Sequence, residues 1–293
     1  MRFHWGWIEP VMPVPYVPTL GPLHPKAPLP ALFDAVADIA GTGQFLSHDK
    51  DQRWSDRKAE QMLTDDVQHD ERQTLVPTLT DRGGGTVKVY VYGSQPGSLT
   101  AGADLARKLA ATHSAATARI VWFLAPENPD EYATDAGTRV QLKDFITTRA
   151  EDRMHPDVQP YDQQPPTVQA SFADFAETLK TDGFAFLHDQ MQAEKVGPVL
   201  TITHDGQLAG AIGPMETMTD PAGQTQLLPQ YFGVLPEHRG HGHGRALWRA
   251  AMSWGRDHGA AYQLLQTEVG GASDRLCQAE GLTSLGYVCT RAV

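Results

Sequence analysis

The chain has 293 residues, of which 41% are hydrophobic and 20% charged, enough apolar material for one large or two ordinary domains and too much for wholesale disorder. Its 24 basic and 35 acidic residues give a net charge of −11, which argues against nucleic acids and anionic membrane surfaces as partners. The two cysteines, Cys277 and Cys289, form no disulfide framework, and neither a signal-peptide pattern nor a run of about 20 apolar residues occurs. We therefore expect a soluble cytoplasmic protein.

The first half begins with a proline-rich arm and continues as helices and strands. Residues 1–30 contain eight prolines, which remove backbone donors and predict an extended arm whose aromatic side chains pack on another element. Apolar spacing predicts a short helix over residues 31–40, and the charged residues 47–73 favour helix and solvated loop. The next three elements have the order of a parallel or splayed crossover: a strand over residues 87–92, a helix over 103–113 and a strand over 119–125.

A second proline-rich stretch, residues 155–169, predicts a linker between two halves of the chain. Helical spacing resumes directly after it, with Ser171 as the predicted N-cap, and a second helix is predicted over residues 184–194. Asp205 and Gly206 form a two-residue turn signal that predicts a hairpin. The predicted strands of this region are residues 199–203, 207–212 and 226–234.

The most informative segment is a loop that joins the last of these strands to an amphipathic helix. Gly240, Gly242 and Gly244 alternate there with His241 and His243. Glycines ahead of a helix let an anion approach the N–H groups of its first turn, so the loop predicts phosphate or pyrophosphate binding. The spacing fits neither the nucleotide-triphosphate loop nor the dinucleotide fingerprint. A tight turn with incidental glycines is the alternative interpretation.

The stretch from Arg239 to Gly244 is similar to the Arg/Gln-x-x-Gly-x-Gly/Ala coenzyme A loop of the GCN5-related N-acetyltransferases, the GNAT family. The order of elements around it also resembles that family, including a fifth strand over residues 262–269 and a last helix. That helix ends in the stretch from Arg275 to Leu282, which resembles the family's Leu-Tyr-x-x-x-Gly-Phe signature. The resemblance covers residues 168–293. It implies an α/β (α+β) fold with a mixed, mostly antiparallel sheet whose fourth and fifth strands splay apart to admit the pantetheine arm.

The resemblance assigns coenzyme binding to the end of the fourth strand and to the glycine loop. In the family, a backbone N–H of that strand polarises the thioester carbonyl. The implied donor is acetyl-CoA or another acyl-CoA, and an acyl-phosphopantetheine on a carrier protein presents the same arm. The implied contacts are Phe232, Gly233, Val234, Arg239, Gly240, His241, Gly242, His243, Gly244 and Arg245.

The catalytic candidates are the groups that the resemblance places around the cleft between these two strands. Glu216 and Glu268 are candidate bases for the ammonium proton, with a carboxylate in solvent as the alternative for each, and Gln230 could orient water or substrate. Cys277 stands where the family commonly has a tyrosine that protonates the leaving thiolate. It is either that proton donor or a small buried hydrophobe. Two glycines replace an asparagine often found after the fifth strand, which favours positioning and carbonyl polarisation over a dedicated acid.

The histidines of the loop, His238, His241 and His243, superficially resemble a metal cluster. With two of them in a glycine loop and no cysteine nearby, imidazoles beside phosphates are the simpler interpretation. We therefore expect no metal ion among the cofactors.

Residues 31–154 weakly repeat the pattern of the second half, but their loop, residues 93–99, lacks the glycine spacing. The whole chain therefore resembles a tandem GNAT protein, as in mycothiol synthases. An unrelated α/β lid domain is the alternative for the first half. The predicted organisation is an arm over residues 1–30, a degenerate GNAT-like domain over 31–154, a linker over 155–169 and an acyl-CoA-binding catalytic domain over 170–293.

The resemblance implies an N-acyltransferase that moves an acetyl or other short acyl group from a thioester to the amine of a small molecule. The tandem, divergent form is typical of secondary-metabolite biosynthesis or self-resistance. Two alternatives stay open: a non-catalytic scaffold that binds acyl thioesters, and a protein or peptide N-acetyltransferase. The expected partners are the amine acceptor and an acyl carrier protein for the second donor class, with neither nucleic acid nor membrane.

Overall fold

A computed structural model describes residues 6, 8, 12–93, 96–127, 137–145 and 156–293 of the chain. Two compact units divide it: Met1–Lys143 with Leu264–Val293, and Asp144–Gln263. The predicted organisation differs, because the predicted catalytic domain runs unbroken from residue 170 to 293. The last thirty residues instead cluster with the first half, since the C-terminal strand lies inside the sheet of the first unit.

In the first unit, the proline-rich arm is extended and packs on the sheet. Two short strands, β1 (Tyr16–Val17) and β2 (Gly21–Pro22), form an antiparallel ribbon. The Tyr16 ring lies 5.1 Å from the Phe123 ring and 5.8 Å from the Tyr90 ring, centroid to centroid. The prediction of a packed, extended arm is therefore confirmed for residues 12–28, and the first eleven residues of the arm lie largely outside the described residues. Helix α1 (Leu29–Asp38) follows, as predicted.

The sheet of the first unit has the order β15-β8-β16-β7-β6-β5-β3, with β4 paired to β5. Its strands are β3 (Glu60–Met62), β4 (Gln68–His69), β5 (Thr74–Thr80), β6 (Thr86–Tyr92), β7 (Thr117–Leu124), β8 (Gly137–Asp144), β15 (Tyr262–Glu268) and β16 (Thr283–Ala292). Helix α2 (Pro96–Thr112) connects β6 to β7, which pair in parallel, so the predicted crossover is confirmed. Helix α7 (Ala272–Ala279) precedes β16.

Three features of the first unit correct the sequence prediction. The charged residues 47–73 hold β3, β4 and two 3-10 turns, where helix and loop were predicted. Strands β5, β8 and β16 were not predicted at all. Helix α2 begins seven residues earlier than predicted. It buries Leu105, Ala106 and Leu109 against the sheet.

The second unit begins with elements where a linker was predicted. Strand β9 (Val158–Pro160), a 3-10 turn and helix α3 (Pro166–Ala170) occupy the described part of residues 155–169, and β9 pairs with the next strand. Ser171 lies at the predicted N-cap of helix α4 (Phe172–Thr178). Its hydroxyl donates to the Val168 carbonyl instead of accepting from the helix, because α3 runs almost directly into α4. Helix α5 (Phe184–Gln192) completes the helical layer.

A four-stranded sheet with the order β14-β11-β10-β9 lies against these helices. The predicted hairpin is confirmed as β10 (Leu200–His204) and β11 (Gln207–Gly213), joined by Asp205 and Gly206 at φ angles of 50° and 77°. The predicted strand 226–234 is wrong as a single strand, because Pro229 interrupts it. Its parts are β13 (Thr225–Leu227), which pairs with β12 (Thr217–Thr219) and the start of β15, and β14 (Tyr231–Val234).

The mixed α/β class with mostly antiparallel pairing is confirmed. The predicted separation of the fourth and fifth strands is visible in the pairing, since β14 and β15 belong to different sheets. The predicted helix after the loop is α6 (His243–Asp257). Among the described residues, no helix is both long enough and apolar enough to cross a membrane.

Candidate active site

Strand β14 lies at the end of its four-stranded sheet, with β11 as its partner on one side. The Leu235 N–H donates to the Ala209 carbonyl at 2.9 Å, so these two residues form a hydrogen-bonded pair of the antiparallel ladder. Since backbone groups alternate along an antiparallel strand, the N–H groups of Phe232 and Val234 point away from β11. Among the described strands, none pairs with β14 on this side, so the two backbone donors can serve an extended ligand.

The glycine loop begins where β14 ends and leads into α6. A 3-10 turn, Pro236–His238, is followed by Arg239, whose Nε donates to the Val234 carbonyl at 3.1 Å. Gly240 and Gly242 have φ angles of 85° and 83°, a region that residues with a Cβ rarely adopt. A Cβ at either glycine would meet no atom within 4 Å. These two positions therefore keep the backbone bare on an open face of the loop.

The loop is held by the buried face of α6. Leu247, Ala250 and Ala251 are fully buried, as their spacing predicts. Trp254, one turn further along the same face, is half-buried and stacks on His258 with 3.7 Å between ring centroids. Arg245 and Arg249 are exposed on the other face. The helix start is thus fixed by packing while its polar face stays accessible.

Three observations indicate that a diphosphate fits the start of α6. Within the described ranges, no side chain caps this helix, and Gly242 occupies the N-cap. The N–H groups of the first turn therefore have no side-chain cap, and the positive end of the helix dipole favours an anion beside them. Arg239 and Arg245 stand at the two ends of this loop in the sequence, and both are exposed.

Four imidazoles, not three, meet at this loop. His204, at the end of β10, has its ring centroid 5.2 Å from that of His238, 5.1 Å from His241 and 5.2 Å from His243. Sequence reasoning missed His204, because no spacing within the chain links the β10–β11 hairpin to the loop. In the part of the chain that the structure describes, no group of three or more His, Cys, Asp or Glu side chains is arranged to hold a metal ion.

His243, the first residue of α6, has a lowered pKa because burial and the three neighbouring imidazoles disfavour its charged form. Its Nε2 is buried and has no hydrogen-bond partner among the described residues. A buried polar atom without a partner is costly unless a ligand or water satisfies it. This nitrogen is a further sign that the loop is shaped for a ligand.

Two of the four catalytic candidates lie in the second unit with the loop. The Glu216 carboxylate is half-buried and accepts the Gly197 N–H at 3.1 Å, so it holds a neighbouring turn. Gln230 immediately precedes β14. Its amide donates to the Leu228 carbonyl and accepts from Gln263 Nε2 at 2.8 Å. The Gln230 side chain is therefore fixed in orientation at the entrance to the β14 edge.

The other two candidates, Glu268 and Cys277, belong to the first unit. Glu268 ends β15 and is exposed, whereas Cys277 on α7 is only 2% exposed. Burial, together with the nearby carboxylates of Asp274 and Glu280, raises the pKa of the Cys277 thiol to about 11. An ordinary thiol has a pKa near 8.5, so proton transfer from Cys277 to a leaving thiolate would be uphill. The buried-hydrophobe interpretation of Cys277 is favoured.

Comparison with known proteins gives one family match and several distant structural likenesses. Residues 165–277 match the acetyltransferase (GNAT) family. No curated protein matches the sequence. The solved structures that resemble the chain include a GCN5-related N-acetyltransferase from Sphaerobacter thermophilus, with a TM-score of 0.47 and 13% identity over 77% of this chain and 81% of that one.

A tandem GNAT protein from the clavulanic acid biosynthesis pathway has a TM-score of 0.45 and 17% identity, covering 76% of this chain and 78% of its own. A GCN5-related N-acetyltransferase from Kribbella flavida has a TM-score of 0.43 and 14% identity, covering 78% and 90%. These TM-scores are too low to establish a shared overall fold. The comparisons thus show a match to the GNAT family for residues 165–277, the part of the chain that contains β14, the glycine loop and α6.

Proposed function

We propose that this chain, whose residues 165–277 match the acetyltransferase (GNAT) family, transfers an acetyl or other short acyl group from a coenzyme A thioester to the amine of a small molecule. The proposal rests on one observation above all. The open edge of β14 lies directly before a bare glycine loop at the start of α6. An acyl pantetheine extended along the strand would place its diphosphate at the loop.

The chemistry on this chain begins at the β14 edge. The N–H groups of Phe232 and Val234 point away from β11, in position to donate to a thioester carbonyl. Such fixed donors stabilise the oxyanion that forms when an amine attacks, and one donor of this kind is typically worth about 3 kcal/mol in the transition state. The new C–N bond forms, the C–S bond breaks, and the proton that the nitrogen loses on becoming an amide passes to the departing sulfur, so that the coenzyme leaves as its thiol.

The amine must lose a proton before it attacks, and Glu216 and Gln230 are the second-unit groups proposed to assist. Glu216 is the candidate base, acting through water, since one of its oxygens already accepts the Gly197 N–H. Gln230 cannot act as a base. With its amide fixed by Leu228 and Gln263, it would orient the acceptor or a water. The net charge of −11 supports a cationic amine as the acceptor.

Calorimetric titration with acetyl-CoA tests the binding half of the proposal. The wild type should bind with micromolar affinity. Gly242→Asp should weaken binding at least about 30-fold, because a carboxylate at the anion site costs about 2 kcal/mol or more. Gly259→Asp is the matched control: Gly259 also has a positive φ, 77°, and open space around its Cβ position, but it follows the far end of α6.

Turnover tests the catalytic half. Release of free thiol from acetyl-CoA is followed with a panel of small amines and with peptide pools. Thiol release that depends on a small amine supports the proposal. Binding without turnover would favour the non-catalytic scaffold, and acetylation confined to peptides would favour the protein N-acetyltransferase. Absence of acetyl-CoA binding would contradict the proposal and favour acyl-pantetheine on a carrier protein as the donor, which the same assay tests.

A further inference from the structure

The four imidazoles at the loop come from separate elements, and the fold brings them together. His204 ends β10, His238 closes the 3-10 turn, His241 lies between the two bare glycines and His243 begins α6. His204 is central, with 5.1 to 5.2 Å between its ring centroid and each of the other three. The His241 and His243 rings are 5.9 Å apart and nearly parallel. Four groups that gain positive charge thus share one small volume.

The charged groups around this cluster do not balance four imidazolium ions. Helix α6 packs on β9, β10, β11 and β14. The strand region of β9 contributes Asp157, which favours the charged form of His243, and Asp205 lies 3.7 Å from His204 Nε2 but is almost fully exposed. Neither β11 nor β14 carries a charged residue. The turn and helix add Glu237 and the guanidinium groups of Arg239 and Arg245.

We infer that His204 and the three loop histidines form a proton-coupled diphosphate site, which takes up protons when the coenzyme binds and holds it more tightly as the pH falls. The inference depends on the proposed function, since it names how the same site recognises its donor. A diphosphate carries the negative charge that the cluster lacks, and it can accept hydrogen bonds from both nitrogens of an imidazolium ion.

The direction of the pH effect follows from linkage. Without ligand, the imidazoles repel one another, and the pKa of His243 lies below its ordinary value. A bound anion favours the protonated imidazole and raises the pKa of His243. Between the lower and the raised pKa, binding takes up protons, so affinity increases as pH falls, by up to about tenfold per pH unit for each proton taken up.

Dephospho-coenzyme A is the probe, because the monoester phosphate of coenzyme A itself titrates near pH 6 and would imitate the effect. Its affinity is measured by calorimetry from pH 8 to pH 6 in the presence of EDTA, so that no divalent cation bound by imidazole contributes. At pH 7, titrations in buffers of different ionisation enthalpy count the protons taken up. We expect the dissociation constant to fall about tenfold or more over this range, with net proton uptake.

His204→Asn tests whether the residue outside the loop belongs to the site. It should reduce proton uptake and flatten the pH dependence, while affinity at pH 8 stays within about threefold of wild type, since asparagine keeps a neutral hydrogen-bonding side chain at the same place. His258→Asn is the matched control at the other end of α6, where the ring stacks on Trp254, and it should leave the pH dependence unchanged.

The outcomes separate this inference from the proposed function. Binding that is tight but independent of pH, or a His204→Asn variant with the proton uptake of wild type, would overturn the inference and leave the acyltransferase proposal standing. No binding of acetyl-CoA or dephospho-coenzyme A at any pH would overturn both. An equal loss of pH dependence in His258→Asn would show that the effect is not located at the loop.

Discussion

The two units each contain a strand, a loop and a helix in the same order, and they differ in what lies beside the strand. In the first unit, β6 pairs in parallel with β7 from Thr86 to Val91 and antiparallel with β5 on its other side. In the second, β14 pairs with β11, while the next strand to follow its helix, β15, lies in another sheet. A strand with two partners has no backbone donors to offer. The same order of elements thus gives a structural crossover in one unit and an open edge in the other.

The largest expected effect is a loss of stability when a buried ion pair of the first unit is broken. Asp274 is 1% exposed and accepts Arg139 Nε at 2.8 Å and the Gly270 N–H at 2.9 Å. Asp274→Ala would leave the Arg139 guanidinium buried without its carboxylate, and should lower the free energy of unfolding by about 3–5 kcal/mol. Urea titration measures this.

The control for that prediction is Asp104→Ala. Asp104 pairs with Arg107 on the exposed face of α2, where an ion pair contributes about 0–1 kcal/mol. Equal losses of stability for the two variants would contradict the distinction between a buried network and a solvated pair.

The second prediction concerns the close contact between α2 and β6. A Cβ at Gly102 would lie 2.6 Å from Val91 Cγ2. Gly102→Val should therefore push α2 from the sheet and cost about 1–3 kcal/mol of unfolding free energy. Gly97→Val, in the first turn of the same helix with no atom near the added Cβ, is the control. Thermal unfolding of both variants shows whether α2 packs as closely on β6 as this contact indicates.

The third prediction concerns Cys277. Because the thiol is buried and its pKa is about 11, it should stay protonated at pH 8 and contribute packing only. Cys277→Ala should cost about 1 kcal/mol of stability and leave kcat within about threefold of wild type. A hundredfold loss of kcat in a folded variant would restore Cys277 as the proton donor to the leaving thiolate.

The smallest expected effect lies at the helix of the open crossover. A Cβ at Gly244 would lie 3.4 Å from Phe232 Cζ, an ordinary contact. Gly244→Ala removes the entropic cost of glycine in the first turn of α6 and should stabilise the protein by about 0.4–1 kcal/mol. Coenzyme affinity should change less than about twofold. A large loss of affinity would mean that the ligand approaches the Gly244 Cα more closely than expected.

Some elements could be predicted from the pattern of residues within the element alone. Three such elements lie where the sequence indicates: the turn at Asp205 and Gly206, the buried face of α6 and strand β6. The glycine loop also has the bare, open backbone that its composition indicates. Each of these features depends on residues within one helix turn or one strand.

The elements that sequence reasoning missed depend on distant partners. Pro77 lies in the middle of β5, and because a proline argues against a strand, β5 was not predicted. Its carbonyl accepts the N–H of Leu63, a residue outside β5. Strand β16 pairs with β7 and β8, more than a hundred residues earlier in the chain. His204 reaches the loop only because the β10–β11 hairpin does. Pairing between residues so far apart in the chain cannot be predicted from the spacing of residues within one element. The tandem arrangement and the roles of Glu216 and Glu268 stay predictions.

Backbone hydrogen exchange of the chain with and without acetyl-CoA tests most directly whether the open edge of β14 is the coenzyme site. We expect slower exchange in peptides that contain Phe232 and Val234 and in those that cover residues 239–245. Peptides from β6 should exchange equally in both states, because its donors are already paired. Protection of β6, or binding without protection of β14, would contradict the account.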